Sequence, residues 1–97
     1  EGFSVLYVED NDALRSNASK LLKKFFHNVY VGADGEEGLK LFKEYHPLLV
    51  ITDIKMPKLD GMELAKYIRH ASPNTKVVFI SAFDEKDHLY KAIEIGV

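Results

Sequence analysis

Acidic residues stand where apolar runs stop. Glu9-Asp10 follows the run Phe3–Val8, Asp53 follows Leu48–Thr52, and Ser81-Ala82 follows Val77–Ile80. Runs this short and this apolar suit strands covered on both faces, as in parallel sheets. Parallel strands bring their carboxyl ends to one edge, and in open α/β sheets ligands bind outside that edge. Neighbouring strands lie about 5 Å apart. If the first, third and fourth runs are neighbours, Glu9, Asp10, Asp53 and Ser81 crowd into one pocket. Carboxylates that close either hold protons or recruit a cation. A hard divalent ion with oxygen ligands resolves the conflict, and Mg²⁺ suits one or two carboxylates completed by waters and a phosphoryl group.

A single acid after a strand more often caps the next helix, and Asp10 or Asp12 fits that plainer reading. Asp53 does not, because the next helical pattern starts only beyond Pro57 and Gly61. Pro57 fixes φ and pushes Met56 towards an extended conformation. Asp60-Gly61 supplies a turn with room for a left-handed residue. The segment reads as an ordinary connection or as a stiff loop that offers the Lys55 backbone carbonyl to a metal; the two readings are compatible.

The elements that would position these groups alternate along the chain. Besides the three runs, Val29–Val31 is a weaker strand. Helical spacing joins Leu14, Ala18, Leu21, Leu22 and Phe25; then Leu41, Phe42 and Tyr45; then Leu64, Ala65 and Ile68; then Leu89, Ala92 and Ile93. Asn11 or Asp12 caps the first helix, Asp34 the second, Asp60 the third and Asp84 the fourth. Pro73-Asn74 turns the chain before the last strand, and Gly96 ends the last helix. The order β-α-β-α-β-α-β-α predicts an open, doubly wound parallel sheet with right-handed crossovers.

Bulk properties narrow the classes. Ninety-seven residues predict one domain, and 46% hydrophobic with 29% charged residues is an ordinary globular mix. The net charge of −2 and the lack of a basic block argue against direct nucleic-acid binding. Without cysteine there are no disulfides and no thiolate metal sites. No apolar stretch approaches the roughly 20 residues of a membrane span, and the first ten residues read as a strand, not a leader. The expected compartment is the cytoplasm. His27, His46, His70 and His88 lack ligand spacing and read as surface residues. Lys20, Lys23 and Lys24 read as a solvated face, and Met62 as packing.

The segments "VLYVEDN", "ITDIKMPKLDGMEL" and "VVFISAFDE" together resemble the receiver domain of two-component response regulators, in order and in spacing. The resemblance implies a flavodoxin-like fold with strand order 2-1-3-4-5. It also implies phosphoryl transfer from a sensor histidine kinase or phosphotransfer protein to Asp53. Asp10, Asp53 and the Lys55 carbonyl would be direct ligands of Mg²⁺, with Mn²⁺ as a substitute. Glu9 would act through a metal-bound water. Ser81 would be the switch hydroxyl, and the Ala82 N–H would hold a phosphoryl oxygen. Lys55 and Phe83 would tune phosphate lifetime. Such a domain is a switch, not an enzyme with an external substrate.

Family members continue into a fifth strand that ends in Lys-Pro, and into a fifth helix; neither lies within these 97 residues. No lysine here takes the phosphoryl-pairing position. The expectation is four strands and four helices, a C-terminally incomplete receiver domain over residues 1–97 that phosphorylates poorly by itself. Strand 77–80 would then be a sheet edge that recruits a second chain. Two alternatives remain: a pseudo-receiver that only binds partners, and a phosphohydrolase of the haloacid dehalogenase type. The second wants an acid two residues beyond the nucleophile, where this chain has Lys55.

Overall fold

A computed structural model describes residues 3–56 and 58–80 in full, and the backbone alone of residues 81–82 and 90–95. The roles foreseen for Pro57, Phe83, Asp84, His88, Leu89 and Gly96 fall outside the described residues. The elements are β1 (Ser4–Val8), α1 (Asp12–Leu22), β2 (Asn28–Gly32), α2 (Gly35–Tyr45), β3 (Leu49–Asp53), α3 (Gly61–Ala71), β4 (Lys76–Ala82) and β5 (Tyr90–Ile95). They form one sheet in the order β2-β1-β3-β4-β5. The first four strands are parallel, and β5 runs antiparallel to β4.

Helix starts follow local chemistry. Asn11 Oδ1 accepts the Leu14 N–H at 2.9 Å, Asp34 Oδ1 the Glu37 N–H at 2.8 Å, and Asp60 Oδ1 the Glu63 N–H at 2.9 Å. Each bond satisfies a donor that the first helical turn leaves without a partner. Asn11, not Asp12, is thus the cap of α1. α2 ends at His46, whose N–H still donates to the Phe42 carbonyl at 2.8 Å while its left-handed φ of 48° turns the following chain out of the helix.

The core lies on one face of the sheet. Leu6, Val8, Val50, Val77 and Phe79 meet Phe42 of α2 and Leu64, Ala65 and Ile68 of α3. Strand alternation sends Val5 and Tyr7 to the other face, where α1 packs. α1 buries none of its residues completely, and Leu21 stays 56% exposed. Met62 is 42% exposed, contrary to the packing expected of it. It precedes the Leu64, Ala65 and Ile68 stripe on α3 and lies off it.

Two expectations fail at the C-terminal end. Ala92 and Ile93 belong to a strand, not a fourth helix, and β4 is not a free edge. β5 covers β4 along its length, with Val77 opposite Ile95 and Ala82 opposite Tyr90. The physical reason is twofold. Three apolar positions are too few to separate a helical period from a strand, and Tyr90–Ile95 holds two isoleucines and a tyrosine, which favour strands. The N–H and C=O groups along the outer side of β4 also need partners, and a returning strand supplies them. Among the described residues the sheet edge therefore belongs to β5, and β5 takes the side of residues 77–80 that a second chain would need.

Candidate functional site

The β1–β3 and β3–β4 ladders place the carboxyl ends of all three strands on one rim. Val8 pairs with Thr52, and Asp53 with Ile80. Glu9 and Asp10 therefore leave β1 just beyond Thr52, beside Asp53, and Ser81 follows Ile80 along β4. Carboxylate oxygens of Glu9, Asp10 and Asp53 lie within 4.8 Å of one another. Among the described residues no other group of acidic or histidine side chains converges in this way. The three differ in setting: Glu9 is buried, Asp53 is half-buried and Asp10 is exposed.

Backbone donors hold the carboxylates. Glu9 Oε2 accepts the Asn11 N–H at 3.1 Å, and Asp53 Oδ1 accepts the Ile54 N–H at 2.8 Å. The Glu9 N–H donates to the Gly32 carbonyl at 3.0 Å, which ties the β1 end to β2. Burial pushes the Glu9 carboxyl above its ordinary value; the Asn11 N–H opposes this, and the charges of Asp53 and Asp10 add to it. Asp53 is raised as well, first by burial, against the Ile54 N–H, and then by Asp10. For Glu9 and Asp53 the charged form thus carries a cost that a cation would remove.

The donor set fits a hard divalent ion. Every converging side-chain atom is a carboxylate oxygen, and the exposed side of Asp10 leaves room for water. Glu9, Asp10 and Asp53 come together as the sequence predicts. Lys55 follows within the β3–α3 connection, where its N–H also favours the charged form of Asp53. Ser81 and Ala82 occupy the same rim as strand backbone, opposite Lys91 and Tyr90; the Ser81 hydroxyl lies outside what the structure describes.

Gly61 has a different task from the one expected of it. Among the described residues no glycine has positive φ; the left-handed residue of the loop is Lys58, at φ 72°. A Cβ on Gly61 would overlap the Asp53 carbonyl oxygen. The Gly61 N–H donates to the Ile54 carbonyl at 2.7 Å and closes the loop at its base. Glycine is required there because the α3 start lies directly on the Asp53 backbone.

Sequence reasoning missed Arg15. Its Nη1 donates to the Glu9 carbonyl at 2.9 Å, and its Nη2 pairs with Asp12. The Asp12–Arg15 spacing of three is a helical-pair signal, but nothing in it points to Glu9.

The response regulator receiver domain family model matches residues 5–97. The chain belongs to the response regulator receiver domain family. The transcriptional regulatory protein AfsQ1 of Streptomyces coelicolor is 34% identical over 93 residues, 96% of this chain and 41% of that protein. The regulator of RpoS of Escherichia coli is 33% identical over 96 residues, 99% of this chain and 28% of that protein. This receiver domain thus spans less than half the length of either relative. The chemotaxis response regulator CheY4 of Vibrio cholerae superposes with a TM-score of 0.79 at 26% identity, over 90% of this chain and 74% of that one. Receiver domains are phosphorylated, Mg²⁺-dependent signalling modules, and the acidic rim is where this one gathers oxygen ligands. Among the described residues no helix is long and apolar enough to cross a membrane.

Proposed function

We propose that Asp53 is the phosphoacceptor of this receiver domain. The convergence of the Glu9, Asp10 and Asp53 oxygens within 4.8 Å carries this reading. Asp10, Asp53 and the Lys55 carbonyl would hold Mg²⁺, or Mn²⁺ in its place, and Glu9 would act on the ion through a water. When bound, the cation neutralises charge on the transferring phosphoryl group. An Asp53 carboxylate oxygen attacks phosphorus in line, a P–O bond forms, the P–N bond to the donor histidine breaks, and the imidazole leaves. The Ile54 N–H fixes Oδ1 of Asp53 and so presents the other oxygen as nucleophile.

Ser81 and the Ala82 N–H receive the phosphoryl oxygens at the end of β4. The added negative charge then biases the neighbouring surface between two arrangements. The domain turns over only its own phosphoryl group, its donor is a cytoplasmic sensor histidine kinase or phosphotransfer protein, and its output is protein contact. Incubation of the complete protein with acetyl phosphate tests this. Labelling is expected with Mg²⁺, none with chelator, and none in Asp53→Asn; label that persists in Asp53→Asn overturns the assignment.

A further inference from the structure

The loop that follows Asp53 is held at two heights. At its base the Gly61 N–H meets the Ile54 carbonyl. At its crown the chain leans on the start of α2: a Cβ on Gly35 would overlap the Leu59 carbonyl. There the Lys58 Nζ lies 3.5 Å from Asp34 Oδ2. Lys58 makes this contact from a left-handed backbone conformation, φ 72°, which a residue with a side chain rarely adopts. Such a conformation persists only where the surroundings over-determine it. Asp34 is also committed twice, since its other oxygen, Oδ1, caps α2 by accepting the Glu37 N–H.

We propose that Asp34 and Lys58 form a charge latch that presses the β3–α3 loop onto α2 and so places the Lys55 backbone for the divalent ion. The latch rests on the reading of the acidic rim as a cation site. Lys55 lies between the two anchors, so its carbonyl can take its place only when base and crown are both held. Lys58 is a positioning residue: it acts through the loop and touches no reacting group. The Asp34 carboxyl is held below its ordinary value, first by the Glu37 N–H and, after an opposing effect of burial, by the Lys58 ammonium. The Lys58 side chain is 58% exposed, so the contact is weak and is screened by salt.

The test follows Mg²⁺ through the rise in melting temperature it causes, in the complete protein. Four single variants and one double variant separate the possibilities. Lys58→Met removes the ammonium, and Lys58→Arg keeps a cation. Asp34→Asn removes the charge but retains a good cap. Lys58→Gly removes the ammonium and relieves the left-handed backbone, so it folds at least as well as the parent. Lys58→Met, Lys58→Gly and Asp34→Asn are expected to raise the half-saturating Mg²⁺ concentration about two- to fivefold at low salt, the range of an exposed pair. Lys58→Arg is expected to stay near the parent, Asp34→Asn/Lys58→Met to be no worse than either single variant, and the differences to fade in molar salt. Unchanged Mg²⁺ binding in Lys58→Gly, an equal loss in Lys58→Arg and Lys58→Met, or losses that multiply in the double variant would overturn the latch. Acetyl phosphate labelling, run in parallel, reports separately on Asp53. A protein that binds Mg²⁺ but takes no label refutes the phosphoacceptor and leaves the latch standing, whereas a parent that binds no Mg²⁺ refutes both.

Discussion

Three carboxylates at one rim repel one another, and two of them are lifted above their ordinary pKa, each first by burial. A raised carboxyl pKa means that the folded state binds more protons than the unfolded one. Stability then falls as pH rises from the ordinary carboxylate range, about pH 4, through the raised folded value, and the cost is full above it. Asp53→Asn removes one of the charges. In chelator this variant is expected to melt above the parent at pH 7, with the gap closing as pH falls towards 4. A gap that does not change with pH, or a variant that melts lower at pH 7, contradicts the electrostatic account. Mg²⁺ should reverse the order, because it binds the folded parent and stabilises it by about 2.7 kcal/mol at one hundred times its Kd. Gly61 makes a steric prediction at the same scale. Gly61→Ala forces a methyl group into the Asp53 carbonyl, and should destabilise by about 1–3 kcal/mol and weaken Mg²⁺ binding, both read from melts with and without the ion.

Elements hold the rim through one packed face. Phe42 is 1% exposed and sits where α2 meets the sheet core. Phe42→Ala should cost about 3–5 kcal/mol in denaturant unfolding. A loss below about 1 kcal/mol would mean that α2 is not seated as described. Within single elements much was legible. The caps at Asp34 and Asp60 could be read from residue type and from the helical spacing that follows them. The first four strands could be read from their apolar runs. The left-handed Lys58 could not, because residue type does not signal a positive φ at a residue that carries a Cβ. The missing burial of α1 was equally hidden. Its stripe of Leu14, Ala18, Leu21 and Leu22 has helical periodicity whatever covers it.

The whole molecule decides how the C-terminal strand closes the sheet. Its antiparallel register puts Val78 opposite Glu94. Opposed residues in such a pair have Cα atoms about 4.5–5.5 Å apart, within disulfide range. The chain has no cysteine, so Val78→Cys/Glu94→Cys should form a single intramolecular bond under mild oxidation, read by mass and by mobility on a non-reducing gel. Failure to crosslink in the folded, monomeric variant would refute the register.

The amino-acid order alone determined which acidic residues stand at strand ends and where each stands along its own element. Apolar runs end on Glu9-Asp10 and Asp53, and the next helix start is delayed until Gly61; these are facts of local order. Only the tertiary structure decided that the acids share a space. Their separation depends on which strands become neighbours and in what register, and β1 pairs with β3 so that Val8 lies beside Thr52. The same holds at the far edge, where the choice between helix and strand for residues 90–95 turned on unpaired backbone groups of β4. A local pattern states what a segment is able to form. The partners it meets, remote in sequence, select among those forms through hydrogen bonds and burial that no short window contains.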